Sequence, residues 1–285
     1  MSTPAISVVV PCYNGGCFLD QLLGSLAAQT FRDFEIVMVD DGSTDLPTQN
    51  KLASLDGAVR IIRQANRGLA SARNTGFREA RATFVVPLDC DDTLEPTFLE
   101  ETFSALRQAR SDVGFAFTHV RLGGTRAGIR ACHFDGFDQL FVNELPYCLL
   151  IRKSAWEAVG GYDEGMHDGY EDWEFSIRLL AAGYRGLEIA KPLFVYAVRG
   201  GGMLLSRSAR IHGTLWGRIR SKHAALFRPS MLWSLWRSRN ERSRRISVGA
   251  AAVLLALPHA MPETWLNWLY FRLLVARRWL SPSQE

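Results

Sequence analysis

The chain has little of what marks several common protein classes. It holds 5 cysteines in 285 residues, and Cys12, Cys17, Cys90, Cys132 and Cys148 form no CxxC pair and no even framework. Zinc sites and structural disulfides are therefore not expected, and the five read as reduced core thiols of a cytoplasmic protein. Lysine occurs only at Lys51, Lys153, Lys191 and Lys222. No GxGxxG follows the first strand-like run and no GxxxxGK[ST] occurs, so dinucleotide-dependent hydride transfer and P-loop hydrolysis lack their usual phosphate cradle. The longest apolar run, ISVGAAAVLLALP at 246–258, falls short of the roughly 20 residues a membrane-spanning helix needs. The opening MSTPAISVVVPCYN has neither the basic start nor the apolar core of a signal peptide, and export is not expected.

What is present is an ordinary globular composition, 47% hydrophobic and 22% charged, with charge unevenly spread. Residues 1–204 carry 19 Lys+Arg against 26 Asp+Glu, whereas 205–285 carry 14 against 3. Two regions with different roles follow. In the first, strand-like runs at 5–11, 34–40, 58–64, 83–89 and 112–118 alternate with helical segments near 16–28, 45–55, 69–81 and 95–108. Thr93 is the cap candidate of the last helix, with Pro96 in its first turn. This alternation implies an α/β fold with a doubly wound, mostly parallel sheet. The segment 119–170 reads as less regular, with Gly-rich and aromatic loops.

The stretch FVVPLDCDDTLEP, residues 84–96, runs from an apolar strand into Asp89, Asp91 and Asp92. Strand carboxyl ends are where open α/β sheets place ligands, and acids this crowded repel one another unless a cation or donor hydrogens compensate. Carboxylates without His or Cys suit Mg²⁺ or Mn²⁺. Pro11 and Tyr13 follow the first strand, and DDGSTD at 40–45 follows the second. A ring and a carboxylate at neighbouring strand ends suit a flat base, by stacking and by accepting a ring N–H. Packing for Tyr13 and a capped turn for DGSTD are the plainer alternatives. Glu171 and Asp172 begin a helix whose apolar positions Trp173, Ile177, Leu180 and Ala181 share one stripe, and two acids there also favour the helix dipole.

Together, ISVVVPCYNGGCFLDQLLGSLAAQTFRDFEIVMVDDGSTD, NRGLASARNTGFREA, VVPLDCDDTLEP and VGGYDEGMHDGYEDWEFSIRLLAAGYR closely resemble the family 2 glycosyltransferases of the GT-A fold, over roughly residues 5–200. The resemblance implies a catalytic domain over 1–204, with a nucleotide-sugar half at 1–118 and an acceptor half at 119–204. It implies base binding by Tyr13 and Asp41 with Asp40 and Pro11 beside them, and a nucleotide- or diphosphate-facing Arg73. Asp89 and Asp91 would form the DxD element, Asp91 as direct ligand of Mn²⁺ or Mg²⁺ and Asp89 touching ribose or the metal through water. Asp172 would be the general base of an inverting transfer, with Glu171 the next candidate, and Arg178 an anchor of the helix. Many relatives carry a histidine after the last strand. Here LFVYAVRGGGML has Ala197 and Arg199; Arg199 cannot ligate a metal but can pair with the diphosphate. His167 and His212 are possible substitutes. The implied donor is a nucleoside-diphosphate sugar, UDP favoured, and the acceptor a glycan or lipid-linked hydroxyl in cell-surface polysaccharide or lipopolysaccharide assembly.

VVPLDCDDTL also fits the hhhhDxDxT loop of haloacid-dehalogenase-like phosphatases, with Asp89 as nucleophile and Asp91 as acid/base. That loop opens such domains, whereas here it follows three strands, and it leaves PCYN and DDGSTD unexplained. A sugar-nucleotide nucleotidyltransferase would need a Gly-rich basic first loop, which is missing. The basic, Trp-rich segment 205–285 is expected to form helices that pack beside the catalytic domain and bind the inner, anionic membrane face without crossing it. Trp265, Trp268, Leu269, Arg272 and Leu273 fall at helical spacing, with Arg277 and Arg278 near the end. A homodimer contact through these helices is the alternative, and no RNA-binding motif suggests nucleic acid.

Overall fold

The structure, a computed structural model, describes residues 3–55, 57, 59–125, 127–199, 208–239 and 246–269. Its centre is β1 (Ile6–Cys12), buried at every position. An unbroken apolar strand of this kind needs cover on both faces, as in parallel sheets flanked by helices. β2 (Phe34–Asp40) and β4 (Phe84–Pro87) pair with it in parallel, and β3 (Val59–Arg63) extends the sheet beyond β2. The connections run through α1 (Leu19–Ala27), α2 (Leu46–Ser54) and α3 (Leu69–Glu79).

Past β4 the direction changes. β8 (Leu150–Arg152), which leads into the short helix α5 (Lys153–Ala158), lies antiparallel to both β4 and β6 (Val113–Gly124), and β9 (Arg185–Val198) runs parallel to β6. β5 (Thr93–Leu94) closes the far edge against β9, while β7 (Gly128–Arg130) pairs with β6. The order is β3-β2-β1-β4-β8-β6-β9-β5. The stretch expected to be less regular contributes the end of β6 and the short strands β7 and β8, while 131–149 holds turns and one short 3₁₀ turn. Thr93 is a strand residue rather than a helix cap, because β9 offers it a backbone partner in Val195. Helix α4 (Phe98–Gln108) begins after Thr97, whose hydroxyl turns to Glu101.

Two apolar clusters meet at α6 (Glu171–Ala181). Phe175 and Leu179 face the sheet core with Phe115, Leu150 and Tyr162. Trp173 and Ile177 face a second cluster with Phe137, Leu140 and Phe141, completed by Leu215, Trp216 and Ile219 of α7 (His212–Lys222). The single stripe read from the sequence is half of a helix buried on two sides, and Ala181 is exposed. Trp216 Nε1 donates to Leu140 O at 3.0 Å, so α7 is tied as well as packed. α8 (Pro229–Arg237) and α9 (Val248–Ala260) follow, then a helical segment at 263–269. Arg272, Leu273, Arg277 and Arg278 lie outside the described residues.

Candidate active site

The carboxyl ends of β1, β2 and β3 are tied together by their own polar groups. Cys12 and Asp40 are register partners, and Asp41 N donates to Cys12 O at 2.8 Å. Pro11 is buried and Tyr13, just beyond, is 50% exposed. Asn14 takes a left-handed φ of 52° and its Oδ1 accepts from Thr44 N and Asp45 N at 2.8 and 3.2 Å. Asp45 then caps α2 by accepting from Thr48 N at 2.8 Å, the side-chain role that favours Asp at this position. Asp40 accepts from Ser43 N at 2.9 Å. Asp41 Oδ1 accepts from Gln64 Nε2 at 2.7 Å and Arg67 N at 3.0 Å, and Oδ2 from Gly68 N at 2.9 Å. Gly42, at φ 73°, leaves no room for a Cβ, which would come within 2.8 Å of Asn66 N. The turn alternative for DGSTD is real, and Asp41 is fixed at the end of β2 opposite Cys12, the residue before Tyr13.

The acids after β4 each have a different environment. Asp89 accepts both Arg73 Nη2 bonds, at 2.8 and 3.0 Å. Asp92 is buried and accepts from Tyr147 Oη at 2.5 Å and from Ala197 N at 2.7 Å. Burial, and then the charge of Asp89, push the Asp92 carboxyl up to about 8. Asp91 is half-buried and meets Arg199, with Nε 3.3 Å from Oδ2. Its pKa is raised by burial and by Asp89, and Arg199 offsets this in part.

Arg73 lies 1% exposed on α3, beneath the site rather than in its opening. Its Nη1 donates to Glu171 Oε1 at 2.7 Å while Nη2 holds Asp89, and the guanidinium sits 4.7 Å from the ring centre of Tyr147. Burial alone would drive off its proton, but Asp89 and then Glu171 outweigh it and hold the pKa well above its usual value. Buried Arg survives only with partners of this kind. Glu171 is raised to about 7 by burial, against the pull of Arg73.

Asp172 points elsewhere. Its Oδ2 accepts from Asn143 Nδ2 at 3.1 Å and its Oδ1 from Trp173 N at 2.8 Å. Asn143 Oδ1 accepts in turn from Gln139 Nε2, which also donates to Ser176 Oγ at 2.7 Å. Tyr170, before α6, takes a left-handed φ of 64°, and its hydroxyl meets His212 Nδ1 at 3.1 Å. His212 is stacked between Trp173 and Trp216, and burial lowers its pKa to about 3. It belongs to the second core, whereas His167 is exposed. Arg178 anchors α6 through Glu174 and Val159 O. Tyr196 on β9 titrates at about 12, raised by burial and then by Asp92, Asp89, Asp91 and Asp172, so it lies in the field of both acid groups.

Among the described residues, no three His, Cys, Asp or Glu side chains are disposed to hold a metal ion by themselves. The donor set still fits a hard cation of the Mg²⁺ or Mn²⁺ kind, which takes one or two carboxylates and completes its shell with phosphate and water. Asp91 satisfies that requirement, being half-buried with its Oδ2 facing Arg199 at the rim of the acid cluster. Tyr147, Asn143 and Gln139 escaped the sequence reading, since nothing in LPYCLL or DQLFVN marks them as site residues.

A curled, mostly parallel sheet with acids at its strand ends is the frame in which the comparisons with known proteins fall. Residues 7–160 match the family described as Glycosyl transferase family 2, and the chain belongs to that family. The uncharacterized glycosyltransferase EpsJ of Bacillus subtilis is 37% identical over 112 residues, 39% of this chain and 33% of that protein. The O-antigen biosynthesis protein RfbC of Myxococcus xanthus is 30% identical over 234 residues, 78% of this chain and 18% of that protein. The chain thus spans about a third of the length of the first curated relatives it matches. S. aureus TarS 1–349, solved with UDP-GlcNAc, superposes with a TM-score of 0.61 at 18% identity, covering 96% of this chain and 91% of that one. The mannosyltransferase PcManGT of Pyrobaculum calidifontis, solved with GDP-Man and Mn²⁺, gives 0.57 at 19% identity over 96% and 87%. The fold is GT-A.

Proposed function

We propose that the protein is an inverting glycosyltransferase that moves a sugar from a nucleoside-diphosphate sugar, UDP favoured, to a hydroxyl of a glycan or lipid-linked acceptor. Cell-surface polysaccharide or lipopolysaccharide assembly is the setting. The observation that carries this reading is the pair of acid stations, Asp89–Asp92 and Glu171–Asp172, joined through Arg73. Tyr13 stacks on the base and Asp41, braced by Gln64, accepts its ring N–H, with Asp40 and Pro11 shaping the floor. Asp91 would hold the divalent cation, Asp89 would touch the ribose or the metal through water, and Arg199 reaches the diphosphate oxygens. Bound there, Mn²⁺ or Mg²⁺ supplies charge stabilisation for the departing diphosphate. Arg73 is a positioning residue, buried beneath the acids rather than in contact with substrate.

Asp172 receives the acceptor's hydroxyl proton as that oxygen bonds to the anomeric carbon. The bond from that carbon to the diphosphate breaks, its electron pair leaving on the phosphate oxygen. Attack from the opposite face inverts the anomeric centre. Asn143 fixes one carboxylate oxygen and so aims the other lone pairs. Glu171 is the less suitable base because it is buried and ion-paired with Arg73, whereas Asp172 is only half-buried.

The C-terminal helices support a peripheral role at an anionic membrane face. Met231, Trp233, Val248, Val253, Trp265 and Trp268 are exposed, beside a strong excess of Arg. No helix among the described residues is long and apolar enough to cross a membrane. A homodimer contact is the other use of such a face.

The test is product analysis with a panel of nucleoside-diphosphate sugars and Mn²⁺. Release of free nucleoside diphosphate is expected. Orthophosphate would indicate a phosphatase acting through Asp89, and pyrophosphate a nucleotidyltransferase; either overturns the reading.

A further inference from the structure

The acids at the end of β4 are unequally provided for. Asp89 takes both Nη2 bonds of Arg73, and Asp92 is bonded to Tyr147 and to Ala197 N. Asp91 has Arg199, in an ion contact at 3.3 Å. The buried Arg199 Nε makes no hydrogen bond, so the contact is electrostatic and poorly aligned. The guanidinium lies 3.8 Å over the ring of Phe18, which supports its flat face without using its donors. Its placement is built in: β9 runs alongside the acid loop through the Thr93–Val195 pair and the Ala197 N bond to Asp92, and Arg199 follows directly.

We propose that Arg199 is the resident counter-cation of Asp91: it holds the carboxylate while the donor site is empty and passes to the diphosphate of the incoming donor, freeing Asp91 for a divalent cation. This rests on the reading of Asp91 as a metal ligand. Arginine stays charged and has no lone pair to share with a metal, so a divalent cation approaching Asp91 meets both a neutralised ligand and a like charge. A diphosphate reverses both conditions. Its oxygens match the planar fork of the guanidinium better than a single misaligned carboxylate does. Arg73 cannot exchange partners in this way, because it is buried and committed to Asp89 and Glu171. Nucleotide and cation therefore bind with positive coupling, and the coupling is reciprocal.

The test is Mn²⁺ binding to the full chain, followed by loss of the free-ion electron paramagnetic resonance signal, with and without UDP. UDP is expected to tighten Mn²⁺ binding by roughly 5- to 150-fold in the wild type, the usual range of coupling between sites. Arg199→Ala is expected to bind Mn²⁺ alone about 10-fold more tightly than the wild type and to lose most of the UDP enhancement. Arg199→Lys, which keeps the charge, should retain a weak wild-type affinity for Mn²⁺ alone. Unchanged Mn²⁺ affinity in Arg199→Ala without UDP, with the full enhancement intact, overturns the proposal alone. Absence of Mn²⁺ binding in the wild type even when calorimetry shows UDP bound overturns it together with the metal reading of Asp91.

Discussion

The strand ends of β1–β4 and the helices α7–α9 solve opposite problems. At the strand ends, polar groups are concentrated and almost every carboxylate is bonded to the chain itself: Asp40 to Ser43, Asp41 to Gln64, Arg67 and Gly68, Asp89 to Arg73. Along α8, α9 and 263–269, apolar groups are left facing outward. On α9, Gly249, Ala252, Val253 and Ala256 form an exposed stripe without a charge. A stripe three and four residues apart is one helix face. The first region gains rigidity from satisfied polar groups, and Asp91, held by a misaligned contact with Arg199, is the acid most open to exchange with a ligand. The second is attached through α7 and through the inward faces of α8 and α9, with Trp236, Ile246 and Ala251 in the second core, and leaves its outward faces available to a partner or surface.

The sharpest way to break this comparison is at Asp172. Asp172→Asn keeps the shape and the bond to Asn143 but cannot accept a proton, so kcat should fall about 10²–10⁴-fold with donor affinity intact. Near-normal turnover by steady-state kinetics would remove Asp172 from the chemistry and leave Glu171 as the candidate.

On the attachment side, Trp216 is buried against His212 and Phe141. Trp216→Ala should cost about 3–5 kcal/mol of folding free energy, read by urea denaturation. A much smaller loss would mean that α7 contributes little to the second core.

Tyr147→Phe removes one hydroxyl that serves Asp92 and Asp89 N together, and should cost about 1–3 kcal/mol. The same region sets a pH dependence. Asp92 and Glu171 titrate at about 8 and about 7 in the folded state, above the unfolded carboxylate range near 4. The folded state therefore holds the extra protons. Their contribution is fully present below about pH 4 and is lost as pH rises through about 7–8. Asp92→Asn should flatten that decline in the metal-free protein; an unaltered slope between pH 5 and pH 8 would count against the assignment.

The smallest effect on stability is expected where the apolar surface is exposed. Trp265→Ser with Trp268→Ser should leave Tm within about 2 °C, since both side chains are more than half exposed, while weakening flotation with anionic liposomes at low salt. If the wild type stays in the soluble fraction under those conditions, the face serves a different contact.

The strand ends were legible because the signal is local. A run of β-branched residues ending in acids marks both the strand and its terminus, and DDGSTD carries its own helix cap. The doubly wound half and the cluster at Asp89–Asp92 could be read that way. Other features depended on distant partners. Thr93 has good capping chemistry, yet β9 claims it as a strand residue. Tyr147 and Asn143 carry no pattern of their own, since what matters is the acid each one meets, 55 and 29 positions away. The second burial face of α6 was hidden because periodicity shows how wide an apolar stripe is, not how many neighbours the helix has.

The sequence by itself determined the alternation of strand and helix, the crowding of acids after β4, the paired acids at the start of α6 and the contrast in charge between the two ends of the chain. Each follows from residues a few positions apart, within reach of backbone geometry and local propensity. Only the tertiary structure decided that Arg73 is buried between Asp89 and Glu171 rather than open to a ligand, that Asn143 orients Asp172, and that Arg199 stands on Asp91. Those pairings join residues up to 108 positions apart in the chain, such as Asp91 and Arg199. They exist because the curl of the sheet brings β9 and α6 back to the ends of β1–β4, where a buried charge is stable only if an opposite one meets it.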